Sequence, residues 1–358
     1  MTQHHEPEDR GGKRVLLVRL GSLGDILHAL PTLVTLKENF PQWELDWLVE
    51  GRWRELLEGN PFLTRIVEFD TLGWRTAPFS RDAWGRLRQA VRLLRERRYD
   101  CALDLQGAIK SAIASRLSGA AEVVGFHGAW LREQAAGLFY TRHATPDAVH
   151  VVEANLALAK AMGAKRVVIG FPLPAGDKEA LPKELPRGDF AVVNPGAGWT
   201  AKQWSVDGYA QICDALEKSL SLPVVLNCGP GEETLAGQVR EACRSSQPFV
   251  FSGELAGLIA LLRRARILVG PDTGPLHLAA ALGVPTVGLY GPTDPRRNGP
   301  YGNRGRTLRP ENASTSYQHS APPDGVMEGI RPEQVLEAIQ ELLVERRERV
   351  GSPSPAAT

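Results

Sequence analysis

The most informative segment of this chain reads Gly270-Pro271-Asp272-Thr273-Gly274-Pro275-Leu276-His277-Leu278. It follows the apolar run Ile267-Leu268-Val269, which is typical of a buried strand, and it leads into an apolar helix predicted over Leu278 to Leu282. A tight turn between a strand and a helix gathers unpaired backbone N–H groups, and the helix dipole attracts an anion to them. Gly274 leaves room for a close approach, and Pro275 suits a first helical position. The segment therefore indicates either a phosphate-binding turn or an ordinary, well-capped βα turn.

Strand-like and helix-like runs alternate on both sides of this segment. In the first half, Val15–Leu20 and Cys101–Leu105 are predicted strands, and Ile26–Asn39 is a predicted helix. A second series begins at Phe190–Val193 and ends with a predicted helix over Pro332–Arg347. This alternation is typical of open parallel sheets covered by helices on both faces. We therefore predict an α/β fold of two Rossmann-like, doubly wound domains that face a central, ligand-binding cleft.

The length and the composition place the domain boundaries. A chain of 358 residues is long enough for two hydrophobic cores. The stretch 171–189 is rich in proline and charge, which indicates a linker suited to a hinge. We expect a disordered tail over 1–12, an N-terminal domain over 13–170, a C-terminal domain over 190–347 and a disordered tail over 348–358.

The charge is uneven although the net charge is only +1. Residues 13–170 carry 22 Lys and Arg against 17 Asp and Glu, whereas residues 171–358 carry 19 against 21. The overall balance gives no electrostatic case for a nucleic-acid partner, but the first half favours an anionic one.

Cysteine spacing and hydropathy narrow the class of protein further. The four cysteines are widely spaced and form no CxxC pair, so they indicate neither a zinc site nor a disulfide framework. We see no signal-peptide pattern and no apolar run of ~18 residues or more, and we therefore expect a cytoplasmic protein.

The first predicted strand runs into Gly21-Ser22-Leu23-Gly24-Asp25. The pattern Ser22-x-x-Asp25 fits a capping box, in which the aspartate bonds back to the start of the helix. The same aspartate would lie at the edge of the predicted cleft, where a carboxylate can act as a general base. The two roles are compatible, because a helix N-terminus keeps a carboxylate ionised.

Three turns in the second half, including the opening segment, carry candidate nucleotide ligands. In the turn at Gly196, glycine allows close approach of a pyrophosphate, and Lys202 lies between two tryptophans, although a solvated surface lysine is the plainer interpretation. Glu232 and Glu233 start a helix, where they can bind ribose hydroxyls or simply complement the dipole. In the opening segment we expect the amides of Thr273 and Gly274 to face phosphate, Asp272 to face a sugar hydroxyl, and His277 to support the site or contact the ligand. The segment around Asp25 and the segment around Asp272, which lie at opposite ends of the chain, together support a family resemblance.

The run Arg14–His28, and the run Asp272–Thr286 followed by Tyr290-Gly291-Pro292-Thr293-Asp294-Pro295, resemble motifs of the bacterial lipopolysaccharide heptosyltransferases, glycosyltransferase family 9. The resemblance extends from about residue 13 to about residue 343. It implies the two-domain GT-B fold, with Asp25 as the catalytic base and Lys202 as a phosphate ligand in a Lys-x-Trp motif.

The resemblance also implies the reaction. The expected activity is inverting transfer of L-glycero-D-manno-heptose from ADP-heptose to the Kdo region of lipid A, with no metal and no cofactor. The first half is more similar to heptosyltransferase I than to II. The alternatives are a family member with another core-sugar acceptor, a GT-B nucleotide-sugar epimerase, and a catalytically idle nucleotide-sugar-binding protein.

The acceptor side is expected in the first half. The segment Asp104–Ser111 is similar to a family segment near the acceptor, and Ser22, Lys110 and Arg132 are the acceptor-binding candidates, the last two as cations for anionic sugar groups. Each of those two cations can equally be an ordinary surface charge. An arginine-rich amphipathic helix predicted over Asp82–Arg98 is most simply a solvated face, but it also suits peripheral contact with an anionic inner membrane.

Overall fold

The structure is a computed structural model that describes residues 12–69, 80–302, 304–317 and 325–351, apart from the side chains of residues 83 and 346–351. Nearly all of the predicted N-terminal tail and most of the predicted C-terminal tail lie outside the described residues. The chain divides after Leu173 into two compact units, and each is described by itself.

The first unit is built on a six-stranded parallel sheet. Its strands are β1 (Arg14–Val18), β2 (Glu44–Val49), β3 (Arg65–Glu68), β4 (Cys101–Asp104), β5 (Glu122–Phe126) and β6 (Arg142–Ala144), in the order β3-β2-β1-β4-β5-β6. Its helices are α1 (Leu23–Asn39), α2 (Arg81–Glu96), α3 (Ile109–Leu117) and α4 (Val151–Ala161).

The central position of β1 follows from its sequence. Val15, Leu16, Leu17 and Val18 are all buried, as expected for a parallel strand covered on both faces. Val15 pairs with Leu45 of β2 on one side and with Cys101 of β4 on the other. The chain runs outward from β1 through β2 and β3, and then returns to β4, so the topological switch point lies between β1 and β4. The segments that follow β2, β1 and β4 therefore share one edge of the sheet.

The second unit repeats this plan. Its strands are β7 (Ala191–Val193), β8 (Val224–Cys228), β9 (Phe249–Ser252), β10 (Ile267–Pro271), β11 (Thr286–Leu289) and β12 (Gly305–Leu308), in the order β12-β11-β10-β7-β8-β9. Its helices are α5 (Val206–Leu220), α6 (Glu233–Ala242), α7 (Leu255–Arg264), α8 (Gly274–Ala281), α9 (Pro295–Asn298) and α10 (Pro332–Gly351). The switch point lies between β7 and β10, and it brings together the turns that follow these two strands.

The predicted fold class is confirmed, with corrections at particular elements. The helix near His277 begins at Gly274 rather than Leu278, because Thr273 is the N-cap and Pro275 fits the first turn. Helix α2 ends at Glu96 rather than Arg98, whose φ of 51° is left-handed. The edge strands β6, β9 and β12 were not predicted, because they are short and only partly buried.

Candidate active site

Asp25 lies in the first turn of α1, directly beyond the carboxyl end of β1. The backbone N–H of Ser22, the N-cap residue, donates to Asp25 Oδ2 at 3.1 Å, and the Ser22 hydroxyl donates to the same oxygen at 3.2 Å. The guanidinium of Arg19 lies 2.7 Å from Oδ1, and the Asp25 side chain remains 30% exposed. The predicted capping contact is therefore present, and part of the carboxylate is still open to a reactant.

The charges around Asp25 keep it ionised. Burial acts to raise the pKa of Asp25, but the Arg19 guanidinium, the Ser22 N–H and the charges of His28 and Arg132 hold that pKa below its ordinary value. At neutral pH the group is thus in the form that can accept a proton, although a low pKa makes it a weaker base.

Arg19 is a site residue that the sequence did not reveal. It is 6% exposed, and besides its ion pair with Asp25 it donates to the backbone carbonyl of Leu105, beyond β4. The N–H of Leu20 donates to Gln106 Oε1 at 3.0 Å and reinforces this link across the switch point. The available signal was a cation inside the otherwise apolar run Val15–Leu20.

The turn after β4 is shaped by the buried Asp104. Its carboxylate accepts hydrogen bonds from the Gln106 N–H at 2.8 Å, the Ser111 hydroxyl at 2.9 Å and the Tyr140 hydroxyl at 2.8 Å. Burial raises the pKa of Asp104, and these bonds partly offset the shift. Asp104 therefore orients the turn from which α3 begins.

The predicted acceptor-binding cations lie at the same edge of this sheet as Asp25. Lys110, in the first turn of α3, is 47% exposed and lies 3.2 Å from Glu50 Oε1. Arg132 is exposed, and its positive charge helps to lower the pKa of Asp25. The N–H of Glu133 donates to the Gly107 carbonyl at 3.0 Å, which holds the Arg132 segment against the turn after β4. The structure thus brings Ser22, Lys110 and Arg132 to the switch point of the first unit.

In the second unit, Lys202 is not a solvated surface lysine. Its side chain is 15% exposed, and Nζ lies 2.7 Å from Asp272 Oδ2 and 3.0 Å from the Asp272 carbonyl oxygen. Nζ also lies 5.6 Å from the centre of the Trp199 ring. These contacts join the turn after β7 to the turn after β10.

Asp272 is the centre of this cluster and is 5% exposed. His277 Nε2 lies 2.9 Å from Oδ1, and the Thr293 hydroxyl donates to Oδ2 at 2.7 Å. Burial acts to raise the pKa of Asp272, but the hydrogen bond from His277 and the charge of Lys202 hold that pKa well below its ordinary value. Both carboxylate oxygens bond to protein groups, so Asp272 holds Lys202 in place; its predicted contact with a sugar hydroxyl stays a prediction. Thr293 is a further member that the sequence did not reveal.

Thr273 and Gly274 begin helix α8, as N-cap and first helical residue. The first N–H groups of any α-helix have no acceptor within the helix, so this turn offers donors to an anion. These N–H groups lie next to Lys202, the cation that pairs with Asp272.

The turns after β7 and β8 meet at Gly196. A β-carbon at Gly196 would collide with the Glu232 carboxylate, so a larger residue at this position would displace that side chain. Glu232 Oε2 accepts the Gly229 N–H at 2.9 Å, whereas Glu233 is exposed at the start of α6. Of the two glutamates that the sequence left open, the structure brings Glu232 to the turn at Gly196.

No group of three or more His, Cys, Asp and Glu side chains is placed to hold a metal ion in the part of the chain that the structure describes. Within the same residues, no helix combines the length and apolarity that crossing a bilayer requires.

The chain has two doubly wound units, each with polar side chains gathered at its switch point, as in the GT-B class of fold. The family model described as glycosyltransferase family 9 (heptosyltransferase) matches residues 86–323. Lipopolysaccharide heptosyltransferase 1 of Pseudomonas aeruginosa is 33% identical over 81% of this chain and 81% of its own length, and that of Escherichia coli K12 is 31% identical over 83% and 93%. The solved structure of E. coli heptosyltransferase WaaC with ADP matches with a TM-score of 0.77 and 28% identity, covering 92% of this chain and 99% of that one.

The chain belongs to glycosyltransferase family 9 and is therefore a glycosyltransferase enzyme. The family resemblance identified from the sequence is confirmed. Heptosyltransferases 3 and 2 of E. coli K12 are also similar, each at 27% identity.

Proposed function

We propose that this enzyme transfers L-glycero-D-manno-heptose from ADP-heptose to the Kdo region of lipid A during lipopolysaccharide core synthesis. The relatives that are 31–33% identical are named lipopolysaccharide heptosyltransferase 1, and a structural neighbour was solved with ADP. The observation that carries the proposal is the carboxylate of Asp25, which is ionised, held by Arg19 and Ser22, and still 30% exposed.

In the proposed reaction Asp25 accepts the proton of an acceptor hydroxyl. The acceptor oxygen forms a bond to the anomeric carbon of the heptose while the bond from that carbon to the β-phosphate oxygen breaks. ADP leaves with the bonding electron pair, and attack from the opposite face inverts the anomeric configuration.

The second unit supplies the donor site in this proposal. Lys202 and the N–H groups of Thr273 and Gly274 offset the negative charge that develops on the departing diphosphate. Glu232 bonds to the ribose hydroxyls, and His277 acts through Asp272. We propose that this reaction needs no divalent metal, because these groups supply the positive charge. Full loss of turnover in EDTA, restored by magnesium, would refute that part.

Donor and acceptor panels test the function. Thermal shift with ADP-, UDP- and GDP-sugars should show stabilisation by ADP-heptose. Mass spectrometry after incubation with Kdo–lipid A should show one added heptose. An isomerised sugar without a glycoside would indicate an epimerase, and binding without any product would indicate an idle binding protein.

The second candidate function is transfer to a later core sugar, since heptosyltransferases 2 and 3 also match. A heptosylated core acceptor separates the two candidates. Turnover of that acceptor, with none of Kdo–lipid A, would favour the alternative.

We also propose that the enzyme works at the cytoplasmic face of the inner membrane, through helix α2. Trp84, Arg88, Arg92 and Arg95 recur every three or four residues on one exposed face of this helix. Each cation near an anionic lipid surface contributes about 1 kcal/mol. Arg97 takes no part, because its guanidinium lies 3.0 Å from Asp46 Oδ2 and is only 12% exposed.

Vesicle co-sedimentation tests the membrane contact. Binding to vesicles with phosphatidylglycerol should exceed binding to pure phosphatidylcholine, and Arg88→Glu with Arg92→Glu should abolish the difference. If the double variant binds phosphatidylglycerol vesicles as strongly as the unaltered enzyme does, the proposal is refuted.

A further inference from the structure

Glu50 is a buried carboxylate at the acceptor side of the first unit. It directly follows β2, and its side chain is only 7% exposed. The Glu50 N–H donates to the Leu20 carbonyl at 3.0 Å, and a β-carbon at Gly21 would lie 3.9 Å from Glu50 Oε2. Glu50 therefore lies against the turn that leads to Asp25.

Two cations share this carboxylate. Arg52 donates to Oε2 through Nε at 3.1 Å and through its terminal nitrogen at 2.9 Å, and Lys110 donates to Oε1 at 3.2 Å. Arg52 follows β2 and Lys110 follows β4, so the two cations approach from opposite sides of β1. The Arg52 guanidinium also lies 5.0 Å from the centre of the Trp53 ring.

Both cations keep exposed surface although their partner is buried. The side chains of Arg52 and Lys110 are 57% and 47% exposed. Arg52 and Lys110 carry two positive charges against the one negative charge of Glu50, so this three-residue cluster is net positive. Side chains already held in one place lose less conformational entropy when they bind a ligand.

We propose that Arg52 and Lys110, held by Glu50, form an anion subsite that binds an acidic group of the acceptor, and that Arg52 determines acceptor specificity. This inference rests on the proposed function, because it names the groups of that acceptor which the first unit recognises. The ligand chemistry is a carboxylate or a phosphate, both of which match the planar donors of arginine. The carboxylate comes from an acidic sugar and the phosphate from the lipid.

Kinetics with paired acceptors test the subsite. Arg52→Ala should raise the acceptor KM about tenfold, as loss of one charge-assisted hydrogen bond implies, with a smaller change in kcat. Arg52→Lys should recover part of that loss. The effect of Arg52→Ala should disappear with an acceptor that lacks the recognised anion, so analogues without the sugar carboxylate or without the lipid phosphate identify its source.

Arg54→Ala is the matched control. Arg54 lies two residues further along, is 41% exposed, and pairs with Glu58 and Glu68 instead of Glu50. Its substitution should leave the acceptor KM unchanged. Glu50→Gln should also raise the acceptor KM, and its melting temperature shows whether the buried site still folds.

Different results would refute the anion subsite and the proposed heptose transfer. An unchanged acceptor KM in Arg52→Ala, or an equal rise with every acceptor analogue, would overturn the subsite. Absence of turnover by the unaltered enzyme would refute the proposed function instead. Calorimetry with a free Kdo disaccharide gives a readout independent of turnover, and Arg52→Ala should weaken that binding if the sugar carboxylate is the ligand.

Discussion

Asp25 combines a structural contact with an exposed reactive group. Because a helix cap and a general base need the same ionised carboxylate, the two interpretations of Ser22-x-x-Asp25 can be separated only by their magnitudes. We expect Asp25→Asn to lower kcat by about 10²- to 10⁴-fold, the usual contribution of general base catalysis. An asparagine side chain can still accept the Ser22 N–H, but the buried Arg19 loses its charged partner, so the melting temperature should fall while ADP affinity changes little. Turnover close to that of the unaltered enzyme would leave Asp25 only the capping role.

Arg19 sets the pH range over which Asp25 is ionised. A nearby cation lowers a carboxyl pKa, so its removal in Arg19→Gln should raise the pKa of Asp25. The acid limb of the pH profile of kcat/KM should therefore move to higher pH, and activity should be lost earlier on acidification. Arg54→Gln is the control, because Arg54 pairs with Glu58 and Glu68 and is not among the groups that shift the pKa of Asp25. An unmoved acid limb would show that Arg19 does not tune the base.

Glu50 and Thr293 were not predictable as site residues, because the partners that link them to Lys110 and Asp272 are distant in sequence. Arg19 differs, since it pairs with the nearby Asp25. Glu50 bonds to Lys110 across 60 residues, and Thr293 bonds to Asp272 across 21. Only the strand orders β2-β1-β4 and β11-β10-β7 bring such residues together. Asp25 and Lys202 were accessible to sequence reasoning because each lies in a glycine-rich turn after a predicted strand.

At the scale of elements, hydrophobic runs predicted the central strands and missed the edges. Strand β1 is apolar because helices cover it on both faces, whereas β6, Arg142-His143-Ala144, is an edge strand with polar side chains. Cap chemistry explains the start of α8, since Thr273 and Pro275 mark a first turn that hydrophobic periodicity alone placed four residues too late.

The turn after β7 offers a matched pair of glycine substitutions. A β-carbon at Gly196 would meet the Glu232 carboxylate, whereas one at Gly198 would meet nothing within 4 Å. Gly196→Ala should displace Glu232 and raise the Kd for ADP about tenfold, comparable to the loss of one hydrogen bond to a charged group. Gly198→Ala should leave that Kd unchanged. Calorimetry measures both, and equal affinities would show that Glu232 does not contact the nucleotide.

At the scale of the whole molecule, the two units carry different kinds of site. The first holds the proposed base and the exposed cations of the proposed anion subsite, and the second holds a buried lysine beside a helix N-terminus. The charge of the sequence follows the same division, with a net of +5 over residues 13–170 and −2 over residues 171–358. The alternation of strands and helices predicted two such units, but only the atomic contacts identify Glu232, rather than Glu233, as the residue next to Gly196.

If the second unit binds the donor and the first unit binds the acceptor, substitutions in the two units should change different constants, the Kd for ADP and the acceptor KM. Lys202→Ala should raise the Kd for ADP about ten- to a hundredfold, because a charge-assisted bond to phosphate contributes about 1.5–3 kcal/mol. It should spare the acceptor KM, and a modest fall in melting temperature should accompany it, since Asp272 loses one partner. Lys110→Ala and Arg132→Ala should instead raise the acceptor KM and leave ADP binding intact. Calorimetry with ADP and initial rates over a range of acceptor concentrations measure both effects. The opposite pattern, with ADP affinity lost in the first-unit variants, would mean that donor and acceptor bind to the opposite units.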